Sequence, residues 1–322
     1  MAEPTSPAAA SRGSASAAAF SPATVSRGSA SPVGVAPGSG NLRWLVTGAG
    51  GMLGRDLRKV LAEHGETNVI AATRSDLDIT SPSQVRDAVA GADIVLNAAA
   101  WTNVDGAETD EEAATAINGH GVSVLAAEAG RRLVHVSTDY VFDGNATTPY
   151  PEDTPHAPLN AYGRGKAVGE AAVLATGGYI VRTAWLYGEH GPNFVRTMLR
   201  LAEDRDTLDV VDDQVGPPTW SYALAQLLVD LSHAAVAGRA EPGAYHGTAA
   251  GSTSWFGLAR AVFLEAGLDP DRVRPTTSDR FPRPARRPAY SVLGHDRWAG
   301  TGVAPLPEWR GMLTKAMPLF LP

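Results

Sequence analysis

Cysteine is absent from the 322-residue sequence. Its absence excludes thiol nucleophiles, structural disulfides and cysteine-built zinc or iron–sulfur sites. It leaves the redox compartment open and is compatible with a reducing cytosol. Lysine is nearly absent too: of the 27 basic residues only Lys59, Lys166 and Lys315 are lysines, so one placed where chemistry requires it carries weight. No apolar run approaches the roughly 18 residues of a membrane span, and no basic start followed by an apolar run marks a secretory signal. His120, His135 and His190 show no metal-ligand spacing, so no metal ligands are assigned, and the sequence leaves open whether a divalent ion joins the site. Acidic residues outnumber basic ones, 34 to 27, for a net charge of -7. Nucleic acid and anionic membranes are therefore not expected partners, although a local basic site can still bind phosphate. A cytoplasmic location is the expectation.

What remains is ordinary soluble composition, 44% hydrophobic and 19% charged. The first 40 residues stand apart: thirty are Ala, Ser, Gly or Pro, and Ser-Arg-Gly-Ser-Ala-Ser occurs at 11–16 and again at 26–31. Such a stretch has too little apolar surface to offset its ordering entropy, so residues 1–40 are expected to be a disordered extension. A transit peptide is the alternative, opposed by the density of Pro and Gly. Removing this segment, with two arginines and one glutamate, leaves 282 residues of net charge -8. Anionic ligands must then be held by local groups.

From residue 42 short apolar runs at 42–47, 68–73, 93–98, 133–137 and 179–183 alternate with helical patterns at 52–64, 81–90, 111–130 and 162–175. Nearly continuous apolar strands in strict alternation with helices predict an α/β fold, a Rossmann-like doubly wound parallel sheet. Beyond residue 185 the order loosens into helices at 193–202, 222–237 and 253–266 and a strand at 208–211. The expected organisation is a nucleotide-binding core over 41–185. A smaller region over 186–322 binds substrate, with some segments returning to the core.

The first strand runs into Thr47-Gly48-Ala49-Gly50-Gly51-Met52-Leu53-Gly54 and then a helix. Glycines at 48, 51 and 54 permit a tight turn, backbone approach to a pyrophosphate and close helix packing, with the anion at the helix N terminus. After the second strand stands Arg74 where an acid would bind both ribose hydroxyls of NAD. A cation there suits a 2′-phosphate and favours NADPH, with NADH the alternative and a solvated loop cation the bland reading. Asp78 and Ile79 fall where the adenine edge would lie, and Ala98, Ala99 and Ala100 form a small-residue wall.

The fourth strand ends in Ser137-Thr138-Asp139-Tyr140, and 24 residues after Thr138 comes Tyr162-Gly163-Arg164-Gly165-Lys166. A Tyr and a Lys four apart share one helix face. Bringing a phenol toward neutral pKa takes about 4 kcal/mol. An ammonium ~4 Å away supplies about that much at an effective dielectric near ~20. Thr138 adds a hydroxyl toward the same substrate oxygen.

These stretches, with Asn97–Asp105, Arg182–Gly188 and Asp213-Gln214-Val215-Gly216-Pro217-Pro218-Thr219, resemble the dTDP-4-dehydrorhamnose reductase family of extended short-chain dehydrogenase/reductases over about residues 42–318. The resemblance implies Tyr162 as proton donor, Lys166 as its modulator and ribose ligand, and Thr138 as the third catalytic residue. Asp139, Trp185, Asn193 and Arg287 match positions on the sugar-nucleotide side. Local readings compete: core packing for Trp185, helix capping for Asn193, a surface loop for Arg287. The implied reaction is NADPH-dependent reduction of the C4 ketone of a dTDP-4-keto-6-deoxy-L-hexose, giving dTDP-L-rhamnose or an analogue such as dihydrostreptose. The partner is a dTDP-sugar; a homodimer is compatible with the sequence, which leaves oligomeric state and C4 stereochemistry open. Two rivals are a dehydratase or epimerase with tightly bound NAD and a non-catalytic NADP-binding subunit. Tyr140 stands where a dehydratase would place its eliminating carboxylate, and the intact Thr138, Tyr162 and Lys166 speak against a mere binding subunit.

Overall fold

Strands β1 (Trp44–Thr47), β2 (Val69–Ala72), β3 (Ile94–Asn97), β4 (Leu133–Thr138) and β5 (Tyr179–Thr183) carry the apolar runs of the sequence. They form a parallel sheet with one further strand, Gly243–His246, in the order 2-1-3-4-5 followed by Gly243–His246. The structure is a computed structural model that describes residues 42–321. The extension expected to be disordered at 1–40 lies outside the described residues. Among those described, no helix is long and apolar enough to cross a membrane.

The helices are α1 (Met52–Glu63), α2 (Pro82–Val89), α3 (Val104–Thr109), α4 (Glu111–Thr115), α5 (Val122–Ala129), α6 (Ala161–Ala175), α7 (Phe194–Asp204), α8 (Ser221–Val236), α9 (Trp255–Glu265) and α10 (Trp309–Ala316). Alternation along β1 sends Trp44 and Val46 to one face, where they pack with Leu57 and Leu61 of α1 and Leu224 and Leu228 of α8. Leu45 goes to the other, with Val95, Val122, Leu125 and Ile180. A sheet apolar on both faces needs helices on both, and the β1-to-β3 reversal of strand order opens a crevice at the strands' carboxyl ends.

A third cluster, with Tyr187, Val195, Leu208, Leu258, Phe263 and Leu313, is built from residues beyond 185. The sequence patterns miss several elements of that half, among them Val273–Thr276, which pairs in parallel with Leu208–Val211, Gly243–His246 and helix α10. Gly243–His246 is a four-residue run opening on a glycine, and it becomes a strand by pairing with β5. Helix α10 carries Gly311 and a short apolar face.

The single helix expected over 111–130 is broken by a π-helical segment, Ala116–Gly121. Two glycines and an asparagine make this stretch a poor α-former. The widened turn carries Asn118, whose side chain accepts from the Trp101 backbone N–H at 2.9 Å and donates to the Trp101 carbonyl at 3.0 Å. Helix α6 lies close against it, since a Cβ on Gly169 would come within 2.3 Å of the Asn118 carbonyl oxygen.

Candidate active site

A cleft of about 1750 Å³ opens at the carboxyl ends of β1, β3 and β4. Gly48 has φ +68, and a Cβ there would lie 2.6 Å from the Ala99 nitrogen. A Cβ on Gly54 would lie 2.2 Å from the Gly48 carbonyl oxygen. These two glycines are therefore fixed by backbone approach within the protein. Gly51 is different. It precedes α1 with extended backbone and no capping side chain, and no acid occupies the helix's first turn. The first amides of α1 are thus left to an anion, with the positive end of the helix dipole behind them. Gly48→Val is expected to destabilise the protein by about 1–3 kcal/mol through strain and overpacking. Thermal unfolding checks it.

Thr73, Arg74 and Ser75 line the same cleft beyond β2. The acid in this loop is turned inward: Asp76 accepts from the Thr73 backbone N–H at 2.9 Å and from its hydroxyl at 2.6 Å. Arg74 has no salt bridge within the described residues. Asp78 accepts from the Thr80 backbone and hydroxyl, at 2.9 and 2.7 Å, which holds its carboxyl below the usual range. Ile79, Met52, Leu53 and Ala98 to Ala100 complete this half of the lining.

The other half of the cleft holds Thr138, Asp139, Tyr162, Lys166 and Trp185. Asn160 caps α6 by accepting from the Gly163 backbone N–H at 2.8 Å, and its amide donates to the Arg286 carbonyl at 2.9 Å. The Tyr162 ring stands edge-on to Tyr140, centroids 5.6 Å apart. Burial and the nearby Asp139 carboxylate push the Tyr162 phenol up, against a hydrogen bond with Thr138. Lys166 is 2% exposed. Its Nζ donates to the Val136 carbonyl at 2.6 Å and lies 3.1 Å from His135 Nε2. Burial brings its pKa down to about 8, with Glu170 acting in the opposite direction.

Asp139 is buried and bonded on both oxygens, to the Thr138 hydroxyl at 3.0 Å and to the Ser291 hydroxyl at 2.5 Å. Burial raises its pKa to about 6 despite these bonds. Trp185 is the one non-glycine residue at positive φ among those described, at +50. Its indole stacks on Trp255 at 3.6 Å. It also covers Gly216, where a Cβ would meet it at 2.4 Å. Non-glycine residues held in this left-handed backbone region concentrate at binding sites. The Asp213-Gln214 pair anchors the neighbouring loop: Asp213 accepts from the Ser278 hydroxyl at 2.6 Å and Gln214 accepts from the Trp255 indole at 3.1 Å.

Asn193 and Arg287 stand apart from the cleft lining. Asn193 caps α7, accepting from the Arg196 backbone N–H at 3.1 Å and donating to the Gly188 carbonyl at 2.8 Å. Arg287 pairs with Asp105 at 3.0 Å and lines a second cavity of about 300 Å³ with Arg283, Arg286, Asp213 and Gln214. Sequence reasoning missed Arg55, His190 and Arg196 in the cleft lining and Ser291 beneath Asp139. The lone arginines and histidine carry no motif, and Ser291 reaches Asp139 only through the fold.

The RmlD substrate binding domain family matches residues 42–320. The chain belongs to the dTDP-4-dehydrorhamnose reductase family. It is therefore an oxidoreductase of the short-chain dehydrogenase/reductase type. It is 51% identical over 287 residues to the dTDP-4-keto-6-deoxy-D-glucose reductase of Streptomyces niveus, covering 86% of this chain and 97% of that one. It is equally identical, 51% over 284 residues, to the dTDP-4-dehydrorhamnose reductase of Streptomyces griseus, covering 86% and 93%. Among solved structures, the dTDP-4-dehydrorhamnose reductase of Bacillus anthracis in complex with NADP superposes with a TM-score of 0.81 at 36% identity, covering 87% of this chain and 99% of that one. Equal likeness to family members named for different sugars means that membership fixes the reaction type and leaves the sugar to experiment.

Proposed function

We propose that the chain is an NADPH-dependent reductase of the C4 ketone of a dTDP-4-keto-6-deoxy-hexose, most simply dTDP-4-dehydro-L-rhamnose giving dTDP-L-rhamnose. The observation that carries this reading is the meeting of Thr138, Tyr162 and Lys166 in one cleft with the uncapped N terminus of α1. The residues present fit the dinucleotide: Gly51 leaves room for a pyrophosphate where Gly48 and Gly54 close the backbone behind it. Gly48, Gly51, Met52, Leu53 and Gly54 hold that group. Arg74, with Thr73 and Ser75, takes the 2′-phosphate, and Asp78 and Ile79 flank the adenine. Ala98, Ala99 and Ala100 back the cofactor, while Tyr162 and Lys166 meet the nicotinamide ribose. The bound cofactor supplies a hydride to the carbonyl carbon.

Tyr162, held protonated by burial and Asp139, gives the carbonyl oxygen its proton. Thr138 hydrogen-bonds the same oxygen, and a protonated Lys166 stabilises the phenolate left behind. Asp139 and Trp185 frame the sugar, and Arg287 serves the sugar-nucleotide side, with the three arginines of the second cavity suited to a diphosphate, while Asn193 acts through the cap it gives α7. Residues 186–321 thus form most of the substrate region, in an enzyme that acts in the cytoplasm, alone or as a homodimer.

Loss of reduced-nicotinamide absorbance with dTDP-4-dehydro-L-rhamnose, and NMR of the product, test the reading. No turnover of any dTDP-4-keto-6-deoxy sugar would overturn it. Arg74→Ala is expected to weaken NADPH by about 10- to 100-fold in KM, the worth of a charge-assisted bond, and to leave NADH nearly unchanged. Comparing the two cofactors' kcat/KM checks this.

A further inference from the structure

Beneath the cleft a polar rung crosses the sheet. Thr47 of β1 is in register with Asn97 of β3, and Asn97 with His135 of β4. All three side chains are buried, and Lys166 comes down on His135 from α6. The rung's donors can be assigned in order. The Ala99 backbone N–H, which can only donate, points at Asn97 Oδ1 at 3.1 Å, and the Thr47 hydroxyl donates to the same oxygen at 2.6 Å. The amide nitrogen of Asn97 therefore faces His135 Nδ1, at 2.9 Å. An amide nitrogen donates, so Nδ1 carries no proton and the neutral ring holds its proton on Nε2. That N–H faces Lys166 Nζ at 3.1 Å. An ammonium has no lone pair to accept it, whereas an amine does, and still donates to the Val136 carbonyl.

We propose that Asn97, by fixing the tautomer of His135, makes His135 a positioning residue that favours Lys166 as the neutral amine. The opposite arrangement, with an ammonium donating to Nε2, needs the proton on Nδ1 and the Asn97 amide reversed. That reversal sets the amide nitrogen against the Ala99 N–H, in the wall of the cofactor cleft. Glu170 is the charged group acting on both His135 and Lys166, and it opposes the effect. Tyr162 lies one turn away on α6, and β1 and β3 bring only the uncharged Thr47 and Asn97 to the rung.

Three lysines in the chain make the test direct. With lysine carbon-13-labelled at Cε, the signal lost in Lys166→Arg is expected to titrate around pH 8 in the full-length protein. Nitrogen-15 histidine spectra should show His135 protonated on Nε2. Asn97→Leu, which removes the donor without adding charge, and Asn97→Asp, which accepts from Nδ1, should each move the lysine midpoint upward by tenfold or more in proton affinity. A wild-type His135 protonated on Nδ1 overturns the proposal even if neither variant folds, as does a midpoint unmoved in both. The pH profile rests on the reductase reading: kcat/KM should fall as pH rises through about 8, later in Asn97→Leu. A rung confirmed by NMR with an unmoved pH profile would count against Lys166's role in the reaction and leave the tautomer assignment standing.

Discussion

Tyr162→Phe is expected to lower kcat with dTDP-4-dehydro-L-rhamnose by about 10²–10⁴, the usual worth of a positioned general acid, with little change in NADPH binding. The change removes one oxygen. The phenol lies beside Thr138 and is kept protonated by burial and by the Asp139 carboxylate, so across the neutral range it is a donor in waiting. The ring's edge-on packing with Tyr140 survives in phenylalanine, so the fold should hold and the loss should appear in turnover. Single-turnover kinetics separate the chemical step from cofactor binding. A variant with unchanged kcat would remove Tyr162 from the mechanism.

The second large effect is on stability. Glu170 of α6 and Arg182 of β5 are both buried, joined at 2.7 Å, and His156 closes on the same carboxylate at 2.8 Å. Arg182 also donates to the Glu152 carbonyl at 2.8 Å. Glu170→Gln leaves a buried guanidinium without its counter-charge, a change that costs about 3–5 kcal/mol. For a chain of this size that lowers Tm by roughly 10 °C. Burial alone would raise the Glu170 carboxyl, but hydrogen bonds from His156 and Arg182 and the arginine charge outweigh it and bring the pKa down to about 2 from 4.5. A depressed folded-state pKa contributes stability above pH 4.5 that is lost as pH falls toward 2. The gap in Tm between wild type and Glu170→Gln should therefore narrow over that interval, as thermal unfolding across pH would show.

Helix α6 explains why the motif reads Tyr-Gly-Arg-Gly-Lys. Tyr162 and Lys166 need one face, which four-residue spacing delivers. The glycines between and after them let that face approach its neighbours: a Cβ on Gly163 would meet the Tyr140 carbonyl oxygen at 2.2 Å. The spacing is local and legible. The clearance is a property of two elements meeting, and sequence periodicity carries no trace of it.

What the sequence determined by itself is whatever chain-local chemistry dictates. Apolar runs and helical periods placed β1 to β5 and most of the helices, because burial on two faces or one leaves those periods. The glycines before α1, Arg74 after β2 and the Tyr–Lys pair marked the cleft, because each stands at a strand end or on a single helix face. Tertiary structure alone decided the rest. Gly243–His246 is a strand because β5 offers an open edge, and the helix at 111–130 is interrupted where Asn118 reaches Trp101. Asp139 is bonded by a serine 152 residues away, and Asn193 spends its side chain on a helix end. Lys166, singled out by scarcity, does not hydrogen-bond Tyr162. It meets His135 and the Val136 carbonyl, because the sheet register sets a row of polar side chains beneath it.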